Sequence, residues 1–223
     1  MDQHCTRADL QTCLEDLAWC NRTLFGYRPT LKWLESLSLS APSEPLRILD
    51  VGCGYGDTLR HIEQWTQKKG IAAEFTGLDL NRDTTSIAAE ASTAISHIRW
   101  INGNVFDYAP PQAPHLIVSS LFTHHLEDPE LIRFIQWMEH HALTGWFIND
   151  LSRNITPYRL FAWFSRIARL HPIVQHDGPA SIARAFVPQD WERYSAAAGL
   201  APTDIQILAY TPGRLCVSRK KSA

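Results

Sequence analysis

Between residues 46 and 150 the chain repeats one pattern, in which a short apolar run is followed by an amphipathic stretch long enough for a helix and then by another apolar run. The runs fall at 46–51, 73–79, 98–101, 115–119 and 144–150, and the helical stretches at 57–69, 84–94 and 129–141. Strands buried on both faces read as continuous apolar runs, and parallel neighbours need right-handed helical crossovers that cover both faces of the sheet. The pattern therefore predicts an α/β, doubly wound sheet.

The C-terminus adds a constraint. Residues 204–209 and 214–219 both read as strands, and only Tyr210-Thr211-Pro212-Gly213 separates them. A parallel partner needs a crossover of a dozen or more residues, so this pair is predicted to be an antiparallel hairpin. The sheet is then seven-stranded with an antiparallel last strand, which is not the plain dinucleotide-binding arrangement.

Two pieces flank this core. Residues 1–45 read as an N-terminal helical lid and linker: two short helices broken at Asn21-Arg22 and Gly26, then Ala41-Pro42-Ser43-Glu44-Pro45. The main domain is 46–223, with an insertion at 151–187. The insertion carries Tyr158, Leu160, Phe161, Trp163, Phe164, Ile167 and Leu170 around most of a helix, followed by what reads as a polar turn, His176-Asp177-Gly178-Pro179. Such a helix must be covered, and the N-terminal helices are the available cover. The expectation is a substrate cavity roofed by these two pieces, which are mobile over a rigid sheet.

Composition narrows the partners. The 21 Lys and Arg against 23 Asp and Glu leave a charge of -2, which argues against nucleic acid. No apolar stretch approaches the roughly 20 residues of a membrane span, and the start lacks a signal-peptide core, so a cytoplasmic location is expected. The five cysteines show no metal-type spacing and read as reduced thiols, with no structural zinc.

The first strand ends Asp50-Val51-Gly52-Cys53-Gly54-Tyr55-Gly56-Asp57. Glycines here permit a tight turn and let backbone approach a ligand at a helix N-terminus. A strand-to-helix turn without a ligand would use the same residues. The spacing is GxGxG, with Asp57 where a dinucleotide fingerprint has its third glycine, and Asp50 would repel a pyrophosphate while accepting a cationic amino-acid end. Asp79 ends the second strand, where a carboxylate can take both ribose hydroxyls, and Leu80 would then lie against a base. Asn104 offers a carbonyl to an exocyclic amine and Val105 an N–H to a ring nitrogen. A solvated strand end and an Asn-Gly-Asn turn are the plainer readings of Asp79 and Asn104.

These motifs, with Gly77-Leu78-Asp79-Leu80 and Ser119-Ser120-Leu121-Phe122-Thr123-His124-His125-Leu126, resemble the class I S-adenosylmethionine-dependent methyltransferases over residues 46–150. The likeness is to the small-molecule branch that includes ubiquinone and menaquinone biosynthesis enzymes. The resemblance implies a Rossmann-like sheet with a reversed final strand, and S-adenosylmethionine as cofactor. It further implies that Gly52, Gly54 and Gly56 wrap the methionine moiety, Asp79 holds the ribose, Leu80 packs on adenine, and Asn104 with Val105 reads its edge. Asn104 stands where Asp is commoner, and keeps the acceptor oxygen. Cys53 and Ser119, within the same motifs, join the expected donor-binding set.

Methyl transfer is an in-line displacement, so the protein has to align the reactants, exclude water and remove one proton. Histidine suits the base because its unperturbed pKa is near neutrality. His124 and His125 follow the fourth strand, His176 lies in the insertion, and Asp150 ends the fifth strand at the same rim. Each histidine also reads as a packed or surface residue. The expected activity is transfer to a hydroxyl of a small, hydrophobic, aromatic or quinone- or polyketide-like acceptor, without a metal. C-methylation of a similar acceptor and a non-catalytic donor-binding regulatory module are the alternatives. A nicotinamide oxidoreductase is disfavoured by Asp50 and Asp57.

Overall fold

Seven strands, β1 (Leu46–Val51), β2 (Ala73–Asp79), β3 (Ile98–Asn102), β4 (Leu116–Ser120), β5 (Gly145–Leu151), β6 (Ile205–Tyr210) and β7 (Arg214–Lys220), form one sheet in the order β3-β2-β1-β4-β5-β7-β6. They are seen in a computed structural model, which describes residues 6–37, 44–92 and 96–221. β1 pairs in parallel with β2 and β4, as do β2 with β3 and β4 with β5, whereas β7 runs antiparallel to both β5 and β6. The short hairpin connection forces that reversal, as expected.

Helices α3 (Asp57–Lys69), α4 (Arg82–Glu90), α5 (Asp128–His141) and α8 (Pro188–Ala197) flank the sheet. Asn81 starts α4 two residues before the expected position by accepting the N–H groups of Asp83 and Thr84. The expected end of this helix, Ala94, and most of the linker, residues 41–43, lie outside the described residues. Two apolar layers hold the sheet: Phe134 and Met138 of α5 with Trp191 of α8 on one face, and Leu59 and Ile62 of α3 with Ile48 and Phe147 on the other.

Three expectations need correction. The first helix, α1 (Arg7–Thr23), runs through Asn21-Arg22 and ends only where Phe25 adopts φ 56 beside Gly26. The second, α2 (Arg28–Ser36), is part of the core rather than a mobile cover: Trp33 and Leu34 are buried, and the Trp33 ring stacks on Phe147 of β5 at 5.1 Å. The insertion is two helices, α6 (Ile155–Ile167) and α7 (Pro172–Arg184), so His176-Asp177-Gly178-Pro179 is helical and not a turn. Gly178 makes this packing possible, since a Cβ there would lie 2.2 Å from the Phe161 ring of α6. α7 and α1 cover only part of α6; Trp19 stacks on Phe164 at 5.6 Å, while Trp163 and Ile167 stay exposed. No helix among the described residues is long and apolar enough to cross a membrane.

The role of α2 is testable. Trp33→Ala removes a buried indole from the β5 layer and should cost about 3 to 5 kcal/mol, read as a lower urea midpoint at unchanged slope. A cost below about 1 kcal/mol would return α2 to the status of a detachable cover.

Candidate active site

The turn after β1 is shaped by its glycines. Gly52, Gly54 and Gly56 have φ values of 68, 52 and 72, a region that costs an L-residue about 1 to 2 kcal/mol. Close approach adds a second reason at two of them: a Cβ on Gly52 would lie 2.5 Å from the Phe122 ring, and one on Gly56 2.1 Å from Trp100. Gly54 has open space around its Cβ position and borders the cavity described below. Its N–H donates to Asp79 Oδ2 at 3.0 Å, and the N–H of Asn81 donates to Asp79 Oδ1 at 2.9 Å. The carboxylate at the end of β2 is thus held against the turn after β1. Burial nevertheless raises its pKa, outweighing those two hydrogen bonds.

Asp50 is more extreme. It is 1% exposed, and among the described residues its Oδ1 has no hydrogen-bond partner. Burial first, and then the charges of Asp57 and Asp79, push its carboxyl well above the usual carboxylate range. A group in that position is poised to receive a cation, whose arrival would restore its ionised form.

The neighbouring candidates divide between the cavity wall and the scaffold. Leu80 is 74% exposed at the cavity, and Cys53, Asn104 and Val105 also border it. Asn104 Oδ1 accepts the Phe106 N–H at 3.0 Å, which fixes the side chain and leaves the oxygen a second lone pair. The Cys53 thiol is buried and its pKa pushed far up, so it is an unreactive packing group. Ser119 is spent on the scaffold, its hydroxyl donating to the Val51 carbonyl at 2.8 Å, away from the cavity wall. Gly56 likewise serves the start of α3 rather than the wall.

Beyond β4, Leu121 adopts φ 56 and turns the chain into a single 3-10 turn, Thr123–His125. This brings His124 onto Asp150 of β5. Asp150 is completely buried and accepts four hydrogen bonds: from Thr123 Oγ1 (2.5 Å), the His124 N–H (3.1 Å), His124 Nδ1 (2.7 Å) and the Leu151 N–H (2.7 Å). Burial alone would raise its pKa, but the His124 charge and these bonds outweigh burial and hold the carboxyl at about 2. Asp150 is therefore a fixed anion that accepts the Nδ1 proton of His124, and among the described residues Nε2 has no protein partner. His125 is exposed, its ring 4.2 Å from that of His124. His176 sits on α7 with its side chain largely in solvent and Nδ1 3.0 Å from Asp177 Oδ1. Both border the cavity.

Asp50, Gly52, Gly54, Asp79, Leu80, Asn104 and the three histidines open on one cavity of about 1400 Å³ along the C-terminal edge of the sheet. Its floor is Asp50, the glycine turn and Asp79. Its roof is apolar: Leu10, Leu14 and Leu17 of α1, Leu160 and Phe161 of α6, and Ile173 of α7. The sequence reading placed Asp150 at this rim without its role, and passed over Thr123 and the polar residues that anchor α1. A signal for the pair did exist, because adjacent parallel strands ending in Asp and in His-His bring those groups to one edge.

Residues 48–145 match the family described as Methyltransferase domain. The ubiquinone biosynthesis O-methyltransferase of Paraburkholderia phymatum is 26% identical over 190 residues, 82% of this chain and 75% of that protein. Among solved structures, the plantazolicin methyltransferase BpumL in complex with SAH superposes with a TM-score of 0.67 at 12% identity, covering 96% of each chain. LepI in complex with SAM superposes at 0.59 and 18% identity, over 84% of this chain and 46% of LepI. The glycine turn and the acidic ends of β1 and β2 lie within the matched residues. Residues 48–145 thus carry a methyltransferase domain, and the chain is similar in sequence and fold to S-adenosylmethionine-dependent methyltransferases that act on small molecules.

Proposed function

We propose that the chain transfers a methyl group to a hydroxyl oxygen of a small, largely apolar acceptor, with His124 as the general base. The observation that carries this reading is the buried Asp150–His124 pair at the wall of the same cavity that holds the uncompensated Asp50.

The residues on the floor fit the donor. Asp50 suits its ammonium, the Gly52–Gly56 turn its methionine chain, Asp79 its ribose hydroxyls, Leu80 its adenine face, and Asn104 with Val105 the adenine edge. A cavity for one drug-sized molecule is about 300 to 1,000 Å³. The 1400 Å³ here suits donor and acceptor side by side. When bound, S-adenosylmethionine supplies an electrophilic methyl on a sulfonium. His124 Nε2 takes the proton of the acceptor hydroxyl, and the Asp150 carboxylate, ionised throughout, stabilises the imidazolium and keeps Nδ1 as the donor nitrogen. The leucines of α1 and the aromatic rings of α6 exclude water and favour an apolar acceptor body, as in the aromatic, quinone-like or polyketide-type compounds expected from the sequence. The similarity to a ubiquinone biosynthesis O-methyltransferase supports oxygen as the methylated atom.

Two outcomes test this. Asp79→Ala should weaken binding of S-adenosylhomocysteine by about 1.5 to 3 kcal/mol in titration calorimetry, the scale of hydrogen bonds to a charged group; unchanged affinity would remove the ribose assignment. His124→Ala should lower turnover by about 100-fold at unchanged donor affinity, measured by product mass on a panel of phenolic acceptors. Asp150→Asn should follow it, because an amide can offer Nδ1 a donor and so select the wrong tautomer. Near wild-type turnover in both variants would leave alignment alone to account for the rate.

A further inference from the structure

Arg214 opens β7, and the mechanism above makes no use of it. It is 9% exposed and borders the cavity. A guanidinium stays protonated in any protein environment, and burying one without a counter-charge costs several kcal/mol. Among the described residues, no carboxylate lies within ion-pair distance of it, and its partners are neutral oxygens. Nη2 donates to Asn21 Oδ1 at 2.6 Å, while Nη1 reaches the Asn149 carbonyl and Oδ1 only at 3.4 Å, beyond the usual range. Among the described residues Nε has no acceptor. The side chain is nevertheless held with care. Asn149 is fixed by donating to the Gly26 carbonyl (2.8 Å) and Thr30 Oγ1 (3.1 Å). Gly26 leaves room for the charge, since a Cβ there would lie 2.7 Å from Nη2.

The place of this cation selects its ligand. Asn21, which accepts from Arg214, also donates through Nδ2 to Asp57 Oδ2 at 3.2 Å, and the Tyr27 hydroxyl donates to the same oxygen at 2.6 Å. Asp57 is the first residue of α3, directly after the glycine turn. One amide therefore separates the guanidinium from the turn that would wrap the methionine chain, whereas Asp79 ends β2 and Leu80 follows it, on the other side of β1 from β7. The cavity thus holds a buried carboxylate lacking a cation, Asp50, and a buried guanidinium lacking an anion, Arg214. A zwitterionic α-amino-acid end answers both.

Building on the reading that the cavity holds S-adenosylmethionine, we propose that Arg214 binds the α-carboxylate of the donor, with Asn21 and Asn149 as the residues that aim its guanidinium. The ligand then ties α1 to the sheet, because Asn21 lies on α1 and Arg214 on β7.

The test is calorimetric titration of the whole chain with three probes: S-adenosylhomocysteine, its decarboxylated analogue S-adenosyl-3-thiopropylamine, and 5′-methylthioadenosine, which lacks both charged groups. The wild type should prefer the carboxylated ligand over the decarboxylated one by roughly 10- to 100-fold. That ratio should fall to near one in Arg214→Gln, and to intermediate values in Arg214→Lys and Asn21→Ala. 5′-Methylthioadenosine should bind all folded variants alike. A wild-type ratio preserved in Arg214→Gln, or in both Arg214→Lys and Asn21→Ala should the Gln variant not fold, overturns the assignment. Failure of 5′-methylthioadenosine to bind the wild type would instead overturn the donor reading on which the assignment stands.

Discussion

The sheet order reverses between β1 and β4, and the connections that leave these two neighbours depart in opposite directions. In a parallel sheet such a point opens a crevice beyond the C-terminal strand ends, and side chains from successive strands converge on it. Each chemically suggestive group depends on that geometry. Asp50 and the glycines follow β1, Asp79 ends β2, Asn104 follows β3, His124 follows β4, and Asp150 lies near the end of β5. They are spread over about 100 residues of chain and share one edge because all five strands run the same way. The hairpin at the other end contributes differently, since only its reversal carries the first residue of β7, Arg214, to the same edge.

Three aspartates in this crevice, Asp50 and Asp150 buried and Asp79 half-buried, are balanced in different ways. Asp150 has four hydrogen-bond donors, two of them from His124, and remains an anion. Asp79 has two backbone donors and is only partly compensated. Asp50 has an oxygen with no donor at all and is driven toward its neutral form. Buried charge of this kind reduces stability, and a binding site that awaits a cationic ligand is a physical reason for it to persist. The contrast between Asp150 and Asp50 separates proton handling from ligand binding within one acidic crevice.

Much of the fold could be read from the chain because its elements are long or strongly patterned. Strands β1 and β2 and helix α3 coincide with their expected limits, and the other strands differ by a residue or so at either end. The failures have local causes. Asn21-Arg22 looked like a break because polar residues interrupt the apolar stripe, but Asn21 faces Asp57 and Arg214 and has no need to leave the helix. Gly178-Pro179 looked like a turn because both residues disfavour helix interiors, yet Gly178 is there to admit the Phe161 ring. At the site, the glycine spacing and Asp79 were legible because one short segment carries them. The partnership of His124 with Asp150 was less so, since it spans 26 residues and depends on the left-handed turn at Leu121. Arg214 was invisible for the same reason, its partner Asn21 lying 193 residues away.

The central claim is that the donor's amino-acid end answers the uncompensated charge beneath the glycine turn while its sulfur faces His124. A crystal structure of the chain with S-adenosylhomocysteine tests this directly. The account predicts the ligand's ammonium within hydrogen-bonding distance of the Asp50 carboxylate, its ribose on Asp79, and its sulfur turned toward His124 Nε2. A ligand seated between α6 and α7, or one that leaves Asp50 Oδ1 without a partner, would contradict it.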